Sequence, residues 1–134
     1  MKPEAGKHFE KAGRCLANGR AELAAAASRP ELAEDAARNA YLAAFHAAKA
    51  LIFERTGQAR MKHGTVQKLF SQIAKSEGAM DTDVRRFLGN AYDFKRVADY
   101  DIEAGAPITL AEASQALDEA ERFVAAIRAL VPDH

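Results

Sequence analysis

Apolar and small side chains recur at helical spacing in the first part of the chain. They form two neighbouring rows with a seven-residue repeat: Phe9, Leu16 and Leu23 in one row, and Ala12, Gly19 and Ala26 in the other. This spacing predicts one long amphipathic helix that ends near Ala27. The row of small residues predicts that another helix, in the same subunit or in a second one, approaches this helix closely.

A second apolar stripe predicts a central helix from Glu31 to about Thr56. Ser28 followed by Glu31 is typical of a capping box, and Gly57 suits the C-terminal end of a helix. One face of the segment is apolar throughout: Ala37, Tyr41, Ala44, Phe45, Ala48, Leu51 and Ile52. We therefore expect this helix to pass through the core.

Three more helices follow along the chain. A basic loop over residues 58–64 precedes the third, Thr82 or the residue before it caps the fourth, and Thr109 with Glu112 forms a capping box for the fifth. Short connections between five helices are typical of an up-and-down antiparallel bundle. The sequence therefore predicts an all-α protein that forms a single domain over residues 1–134.

The composition supports this fold and limits the chemistry. Alanine and other strong helix formers dominate, whereas valine and isoleucine are too few to build a sheet. No apolar run approaches the roughly 18 to 20 residues of a membrane span, and the N-terminal segment lacks the apolar stretch of a signal peptide. Cys15 is the only cysteine, and no metal-binding motif is present. We expect a cytoplasmic protein with no membrane contact, no metal and no cofactor.

Polar chemistry is concentrated in one stretch, Asn90 to Asp101, called here the polar strip. Residues three and four apart on a helix face each other, which predicts three contacts: Asp93 with Arg96, Lys95 with Asp99, and Arg96 with Tyr100. Such a strip is either a solvated or structural ion-pair network or a functional site.

Arg38 falls on or beside the apolar face of the second predicted helix. An arginine in that position needs a carboxylate partner. We expect this partner to be Asp93 or Asp99 of the polar strip, so that the three residues form a structural polar network.

Charge is balanced overall but uneven along the chain. Nineteen basic and nineteen acidic residues cancel, which excludes a nucleic-acid binder held mainly by bulk charge. Residues 55–76 contain no acid, whereas residues 97–121 contain no Lys or Arg. The two segments either neutralise each other or leave a basic surface, on which Lys62 and His63 form a candidate phosphate site beside a helix N-terminus.

Three segments together resemble the HEPN domain family, in its subgroup of small stand-alone prokaryotic members. They are ARNAYLAAFHAAKALI in the second helix, KHGTVQKLF around the third, and FLGNAYDFKRVADYD in the fourth. The resemblance extends from about Ser28 to Val131. It implies a helical bundle, usually a homodimer, that associates with RNA or nucleotides. It also implies a toxin–antitoxin-like pair whose other half is a minimal nucleotidyltransferase.

The chain departs from the motif of the active HEPN ribonucleases. That motif is an Arg followed after four to six residues by a His; Arg96 matches the Arg, but positions 101–103 contain no His. A Tyr that receives nucleotide in some relatives corresponds here to Glu103. Metal-independent RNA cleavage needs a cation for the phosphate and a base for the 2′-hydroxyl. Besides Arg96, the candidate catalytic residues are Asp99, Tyr100 and the distant His63.

Three functions are therefore open. The first is a HEPN module that pairs with a nucleotidyltransferase and binds nucleotide or RNA phosphate without catalysis. The second is a toxin-like endoribonuclease with a degenerate site, and the third is a structural helical adaptor. For the first, the expected ligand-binding residues are Arg96, Lys95, Tyr100, Lys62 and His63.

Overall fold

Five helices make up the described part of the molecule. The computed structural model describes residues 1–59, 62–78, 80–100 and 108–132, without the side chains of residues 93–100. The helices are α1 (Pro3–Ala25), α2 (Leu32–Thr56), α3 (His63–Glu77), α4 (Thr82–Tyr100) and α5 (Leu110–Leu130). Within those ranges there is no strand, which confirms the all-α bundle. No described helix is both long enough and apolar enough to cross a bilayer.

The helix ends follow local sequence signals in most cases. Gly57 and Gly78 end α2 and α3 in the left-handed conformation, with φ of 75° and 61°, where a Cβ would be strained. Thr109 and Glu112 form the predicted capping box, with both reciprocal hydrogen bonds at 3.1 Å. These signals place the ends of the helices as the sequence predicts.

The capping box predicted at Ser28 and Glu31 is wrong. α2 begins only at Leu32, and the Ser28 hydroxyl donates to the carbonyl of Ala25 at 3.3 Å. The Glu31 carboxylate accepts from the Arg29 guanidinium at 3.1 Å and has no role in capping. A turn of chain between the two helices therefore replaces the expected cap.

α2 is the central helix, and alanine lets its neighbours approach it closely. Thirteen of its residues are buried, and nine of these are alanine. On the facing side of α1, Ala12, Gly19 and Ala26 are buried within the same chain. The small-residue row is therefore used by contacts inside the subunit, and it no longer supports a dimer.

Aromatic rings close the core where α3, α4 and α5 meet. The ring centroid of Phe123 lies 5.2 Å from that of Phe70 and 5.8 Å from that of Phe87. All three side chains are buried, so the helices are joined by large apolar surfaces at this point. This contact fixes the relative positions of α3 and α4, which carry the site residues.

Ion pairs on the surface show which partners the described charges of the basic segment (residues 55–76) and the acidic segment (residues 97–121) have. Arg20 of α1 contacts Asp118 at 2.7 Å and Glu121 at 3.0 Å, both on α5. Arg55, at the end of α2, contacts Glu77 at 2.9 Å. Two carboxylates of the acidic segment are therefore paired with α1, and no described ion pair involves Lys62. Among the described side chains, no ion pair joins the basic segment to the acidic one.

Candidate functional site

The site is built around a hydrogen bond between a core tyrosine and a histidine at the start of α3. The Tyr41 hydroxyl lies 2.5 Å from Nδ1 of His63. Tyr41 is fully buried on α2, whereas His63 is half-buried. Burial raises the pKa of Tyr41 far above its ordinary value, so its phenol keeps its proton at any physiological pH.

This hydrogen bond couples the tautomer of the neutral imidazole to the proton of the Tyr41 hydroxyl. Gln67, one turn into α3, opposes the rise in the pKa of Tyr41 by favouring the ionised form of its hydroxyl. A hydroxyl has a single proton to donate, and we consider the tautomer in which the Tyr41 hydroxyl donates it to Nδ1 of His63. Nδ1 then accepts, and neutral His63 carries its proton on Nε2. In that tautomer the ring can donate a hydrogen bond from Nε2.

Aromatic rings on α2 and α4 hold His63 in this orientation. Phe45 stacks on it with centroids 4.3 Å apart and an interplanar angle of 24°. The centroids of Tyr41 and Tyr92 lie 5.5 Å and 5.9 Å from that of His63. Because three helices contribute to this contact, the position of His63 depends on the packing of α2, α3 and α4 together.

Two lysines flank this aromatic cluster. Lys62 is the exposed residue before α3, in extended conformation, and the first turn of α3 contains no acid. The ammonium of Lys49 lies 5.3 Å from the Phe45 ring centroid, which is a cation–π contact. Positive charge and free N–H groups at a helix N-terminus together favour an anion. The neighbourhood of His63 is therefore suited to phosphate.

Sequence reasoning identified Lys62 and His63 but treated both as loop residues. The structure makes His63 the first residue of α3 and anchors it to Tyr41 in the core. The contributions of Lys49 and Tyr92 were missed. A usable signal was available for Lys49, because it follows Phe45 by four residues on a helix and so lies on the same face.

The polar strip lies beside this cluster, although most of its side chains fall outside the described residues. These are Asp93, Lys95, Arg96, Asp99 and Tyr100, and the contacts predicted for them stay predictions. The backbone of α4 continues as a helix to Tyr100, so position 96 lies one turn beyond Tyr92. The helix register thus places position 96 on the same face of α4 as Tyr92, which contacts His63.

Arg38 has a different described partner from the one expected. Its guanidinium contacts Asp35, one turn earlier on α2, at 3.1 Å, and both side chains are about one-third exposed. Arg38 does lie beside the core, as its position on the apolar face predicts. The predicted contacts with Asp93 and Asp99 fall outside the described side chains.

Two further aromatic side chains, both histidines, stack on each other on the α1 side of Phe45. His8 and His46 stack with centroids 5.8 Å apart, and Nδ1 of His46 is buried with no hydrogen-bond partner among the described residues. Burial chiefly, together with His8 and Lys49, lowers the pKa of His46 to about 4. No group of three or more His, Cys, Asp or Glu in the described ranges could hold a metal ion. This pair is therefore a neutral part of the packing.

Comparison with known proteins gives two matches. The family model of the HEPN domain matches residues 5–130. A protein of Methanocaldococcus jannaschii named "Putative toxin MJ0605" is 34% identical over 98 residues, which is 73% of this chain and 70% of that protein.

Proposed function

The chain belongs to the HEPN domain family, and on that premise we propose that it binds a phosphate of RNA or a nucleotide beside His63, without turnover. The observation that carries this proposal is the hydrogen bond between Tyr41 and Nδ1 of His63, which holds this half-buried ring between α2 and α4; in the proposal the ring donates from Nε2. A rigid donor next to Lys62 supports recognition of an anion.

Each predicted ligand-binding residue has a separate role in this proposal. Lys62 supplies a point charge, and Arg96 supplies a planar fork that binds two phosphate oxygens. Lys95 adds positive charge, and Tyr100 offers a ring on which a base can stack. The register of α4 supports these roles, because position 96 follows Tyr92, which contacts His63, by one turn.

Two features support binding over catalysis. Positions 101–103 lack the His of the ribonuclease motif. His63 does not replace it readily, because its accepting nitrogen, Nδ1, is already occupied by the Tyr41 hydroxyl. A general base must have an available lone pair within reach of the proton it removes.

An endoribonuclease is the second candidate, favoured by the name of the Methanocaldococcus jannaschii relative. In this alternative Arg96 holds the phosphate, and Asp99, Tyr100 or His63 accepts the proton of the 2′-hydroxyl. Contact between the rings of His63 and Tyr92 supports the last of these bases, because it brings a residue distant in sequence next to α4.

Titration of short single-stranded RNA and of ATP against wild type and Arg96→Ala tests the proposal. Arg96→Ala should weaken binding by about 1.5 to 3 kcal/mol, the range for hydrogen bonds to charged groups. Arg96→Lys should recover only part of this loss, because a point charge cannot reproduce the fork. Affinity should fall steeply with salt.

Lys68→Ala is the matched control, since Lys68 is an exposed cation on α3 outside the site. Equal affinities for wild type, Lys62→Ala and Arg96→Ala would reject the phosphate site and leave a structural adaptor. RNA cleavage on a gel that depends on Arg96 would support the endoribonuclease instead.

Partners form a further part of the proposal. We propose a cytoplasmic homodimer that pairs with a minimal nucleotidyltransferase, and membership of the HEPN family supports this. Light scattering at tens of micromolar protein tests the dimer, and a monomer would contradict it. Co-purification with the product of a neighbouring nucleotidyltransferase gene tests the pairing.

A further inference from the structure

An open groove of about 550 Å³ lies between α3 and α4, on the side of Gln67 that is turned away from His63 along α3. We propose that this groove holds a second phosphate of the same single-stranded RNA whose first phosphate lies beside His63. This inference rests on the proposed function and deepens it, because it identifies the ligand as a strand and not a mononucleotide.

The charge of the groove fits a phosphodiester. Its lining includes three cations, Lys75, Arg85 and Arg86, and no acid. Hydroxyl groups of Ser71 and Thr82 stand among these cations. No described ion pair involves Lys75 or Arg86, so their charge is available to a ligand. A single-sign groove of this kind concentrates anions at its surface.

Arg85, which lines the groove, has a hydrogen-bond donor without an acceptor among the described residues. Its Nη2 donates to the Thr82 hydroxyl at 3.1 Å, which fixes the guanidinium. Its Nε is buried, and no described residue accepts its hydrogen bond. Buried donors are almost always satisfied, and a charged one left unsatisfied is costly. A phosphate oxygen that reached this nitrogen after a shift of the Arg85 side chain would supply the missing acceptor.

The groove begins at Gln67, one turn of α3 after His63. Gln67 lines the groove, followed by Ser71 and Lys75 at intervals of one turn. From His63 to Lys75 the helix advances about 18 Å, at about 1.5 Å per residue. A ligand that contacts both ends of this face of α3 must therefore be a strand of a few nucleotides, because a single nucleotide is shorter than this distance.

Gly89 keeps the groove wide on the α4 side. It lines the groove within a helix, and a Cβ built at this position meets no atom within 4 Å. Glycine within a helix is unfavourable, and here close packing does not explain it. A larger side chain at this position would extend into the groove, which gives a way to block it without removing any charge.

The test compares an oligoribonucleotide of about eight residues with AMP, by fluorescence anisotropy and calorimetry at several salt concentrations. Arg85→Gln and Lys75→Gln should each weaken the oligonucleotide about tenfold or more, and neither should weaken AMP. The slope of log K against log salt should fall by about 0.7 for each lost phosphate contact. Gly89→Leu should weaken the oligonucleotide without lowering the melting temperature, whereas the Lys68→Gln control should leave both ligands unaffected.

Three other outcomes would overturn the inference, and they differ in which ligand and which variant lose affinity. Unchanged oligonucleotide affinity in Arg85→Gln, Lys75→Gln and Gly89→Leu removes the groove from the site, while a loss in Arg96→Ala would still uphold the proposed function. Equal losses for AMP and the oligonucleotide would make the groove a mononucleotide pocket. No binding of either ligand to wild type would reject both proposals.

Discussion

Two glycines within helices, Gly19 on α1 and Gly89 on α4, have opposite surroundings: one is tightly packed and the other borders open space. On α1, a Cβ added at Gly19 would lie 2.6 Å from Cδ2 of Leu117 and 3.3 Å from Cβ of Asn39. On α4, a Cβ added at Gly89 would meet nothing within 4 Å. The same residue type allows close helix packing in one place and leaves an open groove in the other.

This difference separates the part of the fold that provides stability from the part that is suited to binding. The contact of α1, α2 and α5 is made by small and apolar side chains, and its buried residues carry no charge. The surface shared by α3 and α4 carries cations and hydroxyl groups next to the buried side chains of Phe70 and Leu88. Substitutions in the first region should change stability, and substitutions in the second should change binding.

The largest effect is expected from Gly19→Val. Its side chain would overlap with buried Leu117 and with Asn39, and overpacking of this kind costs about 1 to 3 kcal/mol. We expect a loss near the upper end, about 3 kcal/mol, in urea denaturation. Gly13→Val is the control, because Gly13 on the same helix has nothing within 4 Å, and its effect should stay within about 0.5 kcal/mol. Equal effects of the two variants would contradict the close packing.

Tyr41→Phe should have the next largest effect. It removes the hydroxyl that bonds His63 and leaves Nδ1 of that ring unsatisfied, at a cost of about 2 kcal/mol in the free energy of unfolding. Tyr92→Phe is the control, because the Tyr92 hydroxyl has no hydrogen-bond partner among the described residues. The RNA affinity should also fall in Tyr41→Phe, since the His63 ring is no longer fixed. Unchanged stability and affinity would show that the hydrogen bond is unimportant.

Acid should lower the stability of the protein through His46, which lies on α2 and stacks on His8 of α1. Its folded pKa of about 4 lies below the unfolded value of about 6.5, so between these values the unfolded chain binds more protons. Stability should therefore fall as pH is lowered from 6.5 to 4. The full shift corresponds to about 3 kcal/mol, and solvent screening of a half-buried ring reduces this to about 1 kcal/mol. His46→Gln should flatten this part of a pH series of denaturation curves; an unchanged slope would reject the assignment.

Gly89→Ala should give the smallest effect, with the opposite sign. Alanine is the better helix former by about 0.5 to 1 kcal/mol, and its Cβ enters open space. The melting temperature should rise slightly. Gly19→Ala is the matched comparison and should not raise it, because Leu117 and Asn39 crowd that position. A decrease in Gly89→Ala would show that α4 is packed more tightly than described.

Much of the fold could be predicted from the sequence because it depends on local signals. Apolar spacing predicted the five helices, and Gly57, Gly78 and the Thr109 capping box set three of their ends. The capping box at Ser28 failed because the same residue types also form turns and surface ion pairs, and Arg29 binds Glu31 instead. Local patterns alone do not distinguish these alternatives.

The site was less predictable because it is assembled across helices. His63 and Lys62 were chosen for their charge and position, but no spacing rule links His63 to Tyr41, which is 22 residues away in sequence. The groove is invisible in the sequence for the same reason, since Lys75 and Arg85 meet only when α3 and α4 fold back on each other. Tertiary contact, and not periodicity, decides which polar residues share a surface.

The position of Tyr41 also gives the protein an intrinsic optical signal. The chain contains no tryptophan and only three tyrosines, and two of these, Tyr41 and Tyr92, border His63. Near-ultraviolet absorption and emission of the unlabelled protein therefore come largely from the surroundings of this one imidazole. Any molecule that engages His63 should alter the spectrum of the phenol bonded to it, so that ligands can be screened without a dye or a tag.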